Sequence, residues 1–179
     1  MTYNPDIHHR RSIRLREYDY SSGGVYFVTM CVQGRECLFG GVVDGVMQLN
    51  EAGRMVVGTW HGLAERFPNM TTDEFIVMPN HVHGIMVVQE NEIGGGVGAI
   101  HELPLQVARR NMVIPKIIGY FKMNTAKQIN IMRGSAGIPV WQRNYYERVI
   151  RDEREFTSIR EYIRCNLLKW ADDEENPDP

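Results

Sequence analysis

The sequence predicts an α+β domain in which an antiparallel β-sheet is flanked by helices. Short runs rich in Val, Ile, Phe and Tyr follow one another with only turn residues between them, as consecutive antiparallel strands do. Longer segments with apolar residues at helical spacing separate these runs. The predicted order is one strand, two strands, helix, two strands, helix, strand and helix, which is typical of one α+β domain. A chain of 179 residues suffices for one such domain with a substantial core.

The strands are predicted from apolar runs that lie next to turn residues. Residues 25–33 form a β-rich run directly after a Ser-Ser-Gly-Gly turn. Asp44-Gly45 suits the two-residue turn of a hairpin, which would pair residues 41–43 with 46–49. Further strands are expected at 74–78, at 82–88 and at the end of 140–150.

Three helices are predicted from apolar periodicity and end signals. The first spans about 51–66, between Asn50 and Pro68. The second begins at Pro115, since proline is tolerated in a first turn, and runs to about residue 131. Asp152 is expected to cap the last helix, over about 153–169. The glycine-rich segment 89–113 between them is predicted to be a flexible loop.

Charge divides the chain into three parts, although the formal net charge is only −2. Residues 1–20 form a basic N-terminal arm, residues 21–170 the folded domain, and residues 171–179 an acidic tail that is expected to be disordered. Residues 105–170 hold thirteen Lys or Arg against five Asp or Glu. This excess is either an ordinary solvated surface or a track for a polyanion, and charge alone does not decide between them.

Several classes of protein are not indicated. No apolar run approaches the roughly 18 residues of a membrane helix, and no apolar region follows the basic N-terminus as in a secretory signal. The three cysteines lack metal-type spacing and are interpreted as reduced thiols. A cytoplasmic protein without a membrane partner is therefore expected.

The stretch FIVMPNHVHGIMVV, at residues 75–88, interrupts a strand pattern with two histidines. If a strand begins after Asn80, His81 and His83 point to the same face. Two neutral imidazoles can bind one divalent cation, and they suit zinc or manganese better than magnesium. A third protein ligand would still be needed. The alternative is that both histidines are structural and satisfied by their neighbours.

Tyr162 and Asn166 are four residues apart in the last predicted helix and therefore share one of its faces. A phenol, an amide and a metal-binding pair could converge on a phosphate, and nearby cations would favour the phenolate of Tyr162. Alternatively, Tyr162 packs in the core with its hydroxyl at the rim. Tyr145 and Tyr146 are the rival nucleophiles, but are interpreted mainly as core or base-stacking residues.

The combination of these motifs resembles the HUH tyrosine nucleases, and more closely the REP-associated tyrosine transposases. His81-Val82-His83 follows Met78-Pro79-Asn80, and Glu161-Tyr162-Ile163 lies on a late helix. The resemblance extends from about Arg11 to Trp170. It implies an RRM-like or palm-like sheet flanked by helices. The stretches that carry it are YFVTMCVQGRECLFG, FIVMPNHVHGIMVV, IIGYFKMNTAKQIN and VWQRNYYERVIRDEREFTSIREYIRCNLLKW.

The resemblance also implies a chemistry. His81, His83 and Asn166 match the metal ligands, for Mg²⁺ or Mn²⁺, and Tyr162 matches the nucleophile that forms a 5′-phosphotyrosine. The implied substrate is single-stranded DNA with imperfect palindromes that fold into hairpins, cut and rejoined by a monomer or a homodimer. Relatives usually have proline where this chain has Leu167, so here the helix would continue past Asn166.

Two other classes of function remain open at this point. One is a non-enzymatic, RRM-like protein that binds single-stranded nucleic acid. The other is an HUH rolling-circle initiator or relaxase, although this chain has no room for the extra domains that those proteins tend to carry. For any of the three, the candidate DNA-binding residues are Arg10, Arg11, Arg14, Arg16, Lys122, Lys127, Arg143, Arg151 and Arg154.

Overall fold

A computed structural model describes residues 23–89, 113–173 and 175–177. Its elements are β1 (Gly24–Cys31), β2 (Gly40–Val43), β3 (Val46–Leu49), α1 (Glu51–His61), α2 (Leu63–Arg66), β4 (Met70–Val77), β5 (His81–Val88), α3 (Val113–Met132), β6 (Tyr146–Ile150) and α4 (Glu153–Cys165). Short 3₁₀ helices occupy Gln33–Arg35 and Asn166–Asp172. The order of elements confirms the predicted α+β class. The basic arm and the glycine-rich loop, apart from its ends at Gln89 and Val113, lie outside the described residues.

The main sheet has four strands in the order β4-β5-β1-β6, and every neighbouring pair is antiparallel. β2 and β3 form a separate hairpin, as predicted. Its turn residues Asp44 and Gly45 both have positive φ, 52° and 73°, as a type I′ turn requires. None of the helices in the described part of the chain is long and apolar enough to cross a membrane.

Side-chain caps begin two of the predicted helices. The Asn50 side chain accepts a hydrogen bond from the Gly53 N–H at the start of α1, and Asp152 accepts one from Glu155 at the start of α4. The helix predicted over 51–66 is divided at Gly62 into α1 and α2. Beyond α4 the chain does continue past Asn166, but as a 3₁₀ helix rather than as α-helix.

The two faces of the sheet are used differently. On one face, Tyr26, Val28 and Met30 of β1 join the main core, which α1 and α3 cover with residues such as Trp60 and Phe121. Alternation along the strands sends Phe27, Thr29 and Cys31 to the opposite face. There a smaller apolar cluster, which includes Ile163 of α4, covers only part of the sheet. The histidines lie on this second face.

Gly84 in β5 is required by the packing of the first face. The Trp60 ring stacks on Phe75 with centroids 4.4 Å apart and lies directly against Gly84. A Cβ at residue 84 would come within 2.4 Å of a Trp60 ring carbon and 3.0 Å of a Phe75 ring carbon. The stacked rings of Trp60 on α1 and Phe75 on β4 cannot both move away from β5, so residue 84 has no room for a side chain.

We therefore expect Gly84→Ala to destabilise the protein by about 1–3 kcal/mol, the usual cost of overpacking a core. Urea denaturation measures this change. Gly119→Ala is the matched control, since nothing lies within 4 Å of a Cβ at that exposed position of α3. Alanine there favours the helix by about 0.5–1 kcal/mol. Equal stability of Gly84→Ala and the wild-type protein would contradict this packing.

Candidate active site

The Pro79-Asn80 turn fixes where β5 begins. Met78 N–H donates to the His81 carbonyl across the turn, at 2.9 Å. The carbonyls of Pro79 and Asn80 accept hydrogen bonds from Phe39 and Val32 in the segment after β1, at 2.9 and 2.8 Å. Because the turn is bonded to the neighbouring chain in this way, β5 starts at a defined residue, and that residue is His81.

His81 and His83 are both buried, and their side chains lie on the same face of β5. Their Nε2 atoms are 3.1 Å apart. Each Nδ1 atom has a different partner, at 2.8 Å: Asn80 Oδ1 for His81 and Thr29 Oγ1 for His83. Each ring is therefore held in place through its Nδ1 atom, and the two Nε2 atoms face each other.

Burial lowers the pKa of both imidazoles well below the ordinary histidine value, because a charged ring would lose its hydration. For His83, proximity to His81 lowers the pKa further, whereas Asp173 partly opposes the shift at His81. Both rings are consequently neutral at pH 7. Neutral imidazole is the form that binds a metal ion.

Tyr162 reaches this pair from α4. Its hydroxyl lies 3.5 Å from His83 Nε2, and its ring meets the His83 ring edge-on with centroids 5.3 Å apart. The Phe27 ring of β1 also contacts the Tyr162 ring edge-on, with centroids 6.0 Å apart. The side chain remains 43% exposed, so its hydroxyl borders both the histidines and the open cleft. The structure thus brings Tyr162 and the two histidines together on one face.

The pKa of Tyr162 is raised, contrary to the expectation that nearby cations would favour its phenolate. Burial is the main cause and Asp173 adds to it, while a hydrogen bond with Asn166 acts in the opposite direction. Two cations of α4 are directed at β4 and not at Tyr162. Arg160 donates a hydrogen bond to Asp73 at 2.6 Å, and Arg164 donates one to Glu74 at 2.9 Å. These ion pairs hold α4 against the edge strand β4.

Asn166 is the first residue of the 3₁₀ helix after α4 and is 2% exposed. Its Oδ1 is buried and has no hydrogen-bond partner among the described residues. A buried carbonyl-type oxygen without a partner costs about 1–3 kcal/mol. A cation would satisfy this oxygen, and Asn166 lines the same cleft as His81, His83 and Tyr162.

These atoms fit a divalent cation. Two nitrogens at about 2.1 Å from one ion, at a right angle, are about 3.0 Å apart, and the two Nε2 atoms are 3.1 Å apart. The described residues contain no group of three His, Cys, Asp or Glu that could hold a metal. The candidate for a third protein ligand is the Asn166 amide oxygen, which is buried without a partner and belongs to the residue that the resemblance implies.

The cleft has a volume of about 860 Å³. Asp172, Asp173 and Glu175 line it, although the tail from residue 171 was expected to be disordered. Asp172 ends the 3₁₀ helix, and the Glu175 carboxylate pairs with Arg35 at 3.0 Å. The helical continuation beyond Asn166 returns these acidic residues to the sheet, which the composition of the tail does not reveal.

The predicted DNA-binding residues are dispersed. Lys122 is not free to bind DNA, because its ammonium group donates to the carbonyls of Gln142 and Asn144 at 2.9 and 2.8 Å. Burial lowers its pKa to about 8. Lys127 and Arg143 are exposed and stay candidates. Arg10, Arg11, Arg14 and Arg16 lie outside the described residues.

Arg151 and Arg154 line a second, shallower groove together with Arg148. Arg148 was not among the predicted residues, and it lies on β6 with the Glu155 carboxylate 2.6 Å away. The sequence could have predicted it, since Tyr146 and Arg148 are two residues apart on a short strand and therefore share one face.

Tyr145 and Tyr146 line the main cleft. Tyr146 is on β6 and meets Phe27 edge-on at 6.1 Å, with its ring partly exposed. The Tyr145 ring lies 5.5 Å from the Lys122 ammonium. Their exposure to the cleft is consistent with a stacking role, which stays a prediction.

No family model matches this chain, but individual proteins are similar to it. An uncharacterised protein of Haemophilus influenzae is 41% identical over 179 residues, which covers 96% of each chain. A candidate REP-associated tyrosine transposase of the same organism is 27% identical over 151 residues, 84% of this chain and 74% of that protein. A solved REP-associated tyrosine transposase bound to a REP hairpin shares the fold, with a TM-score of 0.52 at 19% identity over 88% of this chain and 74% of that one.

A histidine pair on a central antiparallel strand, with a tyrosine from the last helix on the same face, is the arrangement that the resemblance to the HUH tyrosine nucleases implies. The sequence relationship extends over nearly the whole chain. Over most of its length the chain is thus similar in sequence to a candidate REP-associated tyrosine transposase, and it shares the fold of a solved one.

The lowered pKa values of the histidines predict how the metal-free protein responds to acid. The unfolded chain takes up protons near pH 6.5, whereas folded His81 does so only near pH 4. The contribution of His81 to the free energy of unfolding is therefore fully present above pH 6.5 and is lost as the pH is lowered toward 4, by on the order of 3 kcal/mol. Chemical denaturation at a series of pH values measures it.

The control is a variant in which both His81 and His83 are replaced by glutamine, which does not titrate. Carboxylates also titrate below pH 5, so the informative quantity is the difference between the wild-type and variant slopes. The variant should lose less stability between pH 6.5 and 5 than the wild-type protein. Parallel slopes would contradict the buried, neutral state of the pair.

Proposed function

We propose that this protein is a metal-dependent enzyme that nicks and rejoins single-stranded DNA at hairpins, with Tyr162 as its nucleophile. The observation that supports it most is the row of three atoms in one cleft: Tyr162 Oη 3.5 Å from His83 Nε2, itself 3.1 Å from His81 Nε2. A purely structural histidine pair has no need of a partly exposed phenol beside it. Similarity to the REP-associated tyrosine transposases supports a transposase-like activity on hairpin DNA, which is the coarser form of the same proposal.

His81, His83 and Asn166 would hold a Mg²⁺ or Mn²⁺ ion, which when bound supplies Lewis-acid polarisation of a phosphate and offsets its growing negative charge. The electrostatics of the cleft support this requirement. Asp172, Asp173 and Glu175 line it, and their carboxylates oppose the entry of a phosphate. An added cation would offset this negative charge, which Lys169 in the same cleft offsets only in part and the neutral imidazoles not at all.

In the proposed reaction, Tyr162 Oη forms a bond to phosphorus while the bond from phosphorus to the 3′-oxygen breaks. The phenolic proton leaves, and the departing 3′-oxygen acquires a proton to become a 3′-OH. The 5′ end then remains on Tyr162 as a phosphodiester, so a 3′-OH can later reverse the step without a nucleotide cofactor. Because the pKa of Tyr162 is raised in the metal-free site, deprotonation depends on positive charge brought next to its hydroxyl.

The shape of the cleft favours a single strand. The histidines are buried at the sheet surface, and α4 stands over one side of them, so a paired strand cannot approach as closely as an unpaired one. Tyr146 exposes part of its ring on the β6 side, where an unpaired base could stack. Arg148, Arg151 and Arg154 lie beyond it and could contact the phosphates of an adjoining stem.

Tyr162→Phe tests the proposal, because it removes one oxygen and keeps the ring packing. We expect no covalent adduct between this variant and a labelled, hairpin-bearing single strand in the presence of Mn²⁺, whereas wild-type protein gives a shift that resists denaturant. The affinity for the hairpin should stay within about tenfold, since the phenol is one contact among many. Denaturing and native gels give the two readouts.

Tyr146→Phe is the matched control, because it is the other exposed tyrosine of the cleft and should retain the adduct. An adduct formed by Tyr162→Phe but not by Tyr146→Phe would transfer the nucleophile to Tyr146. If neither wild-type protein nor any variant forms an adduct while all bind the hairpin, the non-enzymatic hypothesis is correct. Adduct formation by the wild-type protein in EDTA would exclude the metal.

A further inference from the structure

A continuous row of hydrogen bonds runs behind and between the two histidines. Thr29 Oγ1 lies 2.8 Å from His83 Nδ1, His83 Nε2 lies 3.1 Å from His81 Nε2, and His81 Nδ1 lies 2.8 Å from Asn80 Oδ1. Each neutral imidazole carries one proton and one lone pair. The residues at the two ends therefore determine which nitrogen of each ring carries the proton.

At the Asn80 end of this row, the direction of the hydrogen bond is fixed. Its Nδ2 donates to the carbonyls of Arg35 and Glu175, at 3.1 and 2.5 Å, which sets the orientation of the amide. Oδ1 can only accept a hydrogen bond. His81 must therefore carry its proton on Nδ1, and its Nε2 presents a lone pair toward His83.

At the Thr29 end, the direction of the hydrogen bond can reverse, because a hydroxyl both donates and accepts. In the metal-free protein the 3.1 Å contact between the rings needs one proton, which only His83 Nε2 can supply. Thr29 then donates to His83 Nδ1, and all four side chains are satisfied. If instead the proton of His83 is on Nδ1, Thr29 accepts it and both Nε2 lone pairs point at one position.

We propose that Asn80 and Thr29 are positioning residues for the histidine pair: Asn80 locks His81 in the Nδ1–H tautomer, and Thr29 lets His83 exchange between its two tautomers. The inference rests on the proposed function for the cation that selects the second arrangement. In that exchange the His83 Nε2–H bond breaks and an Nδ1–H bond forms through solvent, so the pair neither gains nor loses a proton. Outer partners of this kind commonly change metal affinity by 10–100-fold.

Nitrogen NMR of ¹⁵N-histidine-labelled, metal-free protein reads the tautomers directly. We expect the Nδ1–H form for His81 and the Nε2–H form for His83 in the wild-type protein. Asn80→Asp keeps the acceptor and should keep His81 as it is, whereas Asn80→Ala should release it toward the Nε2–H form. Wild-type His81 in the Nε2–H form would overturn the role of Asn80, and amide dispersion verifies that each variant is folded.

Titration with Zn²⁺, a diamagnetic probe, tests the reversible end. The wild-type protein should show His83 changing to the Nδ1–H form, and Thr29→Val should weaken Zn²⁺ binding by about 10–100-fold. Thr29→Ser restores the hydroxyl and should restore the affinity. Equal affinities of Thr29→Val and wild type would overturn the role of Thr29.

The two proposals fail in distinguishable ways. A wild-type protein that binds no Zn²⁺ removes the metal site of the proposed function and the exchange at His83. The Nδ1–H form of His81 in metal-free protein, released only by Asn80→Ala, would still support the role of Asn80. A metal-binding protein in which His81 has the opposite tautomer keeps the proposed function and removes the positioning role.

Discussion

The antiparallel pairing of β5 with β1 is the constraint on which the site depends. Its register places Cys31 opposite His81 and Thr29 opposite His83, so the two imidazoles emerge on one face with Thr29 beside them. A shift of one residue would turn both rings into the main core, where Trp60 packs. The bonded Pro79-Asn80 turn and the missing side chain at Gly84 both resist such a shift. The chemistry of the second face therefore depends on how tightly the first face is packed.

The last helix completes this arrangement from the opposite end of the chain. Ile163 buries its apolar side against the sheet, and Arg160 is bonded to Asp73 on the edge strand. One turn of that anchored helix carries Tyr162 to the histidines and, at its end, Asn166 to the same cleft. The same ion pairs remove the cations that would otherwise acidify the phenol. The side chains of the site are thus poorly suited to ionising the tyrosine by themselves, which supports the proposed role of a cation.

Part of this site could be predicted from the sequence because it depends on local periodicity. The alternation of His81 and His83, and the four-residue spacing of Tyr162 and Asn166, follow from strand and helix geometry alone. The partnership of Thr29 with His83 could not, since it depends on a register between strands 54 residues apart. The expectation that cations favour the phenolate of Tyr162 was wrong for a similar reason. Counting cations along a helix shows neither the burial of the phenol nor the partners of those cations on β4.

The acidic tail and Lys122 also show that composition does not reveal the contacts of a charged group. Composition correctly identifies Asp173 as part of an acidic segment, but only the 3₁₀ continuation of the last helix brings it into the cleft. Lys122 belongs to a basic region, yet its ammonium group is used on two backbone carbonyls. Net charge describes a region of the chain, whereas function depends on what each charged group contacts.

We propose that two imidazole nitrogens from one strand bind a single cation next to the tyrosine. Pulsed electron paramagnetic resonance of the Mn²⁺-loaded protein, with natural and ¹⁵N-labelled histidine compared, measures this coordination. We predict one bound Mn²⁺ per chain that is coupled to two histidine nitrogens, with couplings that change as the label requires. A spectrum of hydrated Mn²⁺, or of an ion coupled to no histidine nitrogen, would contradict the proposed site.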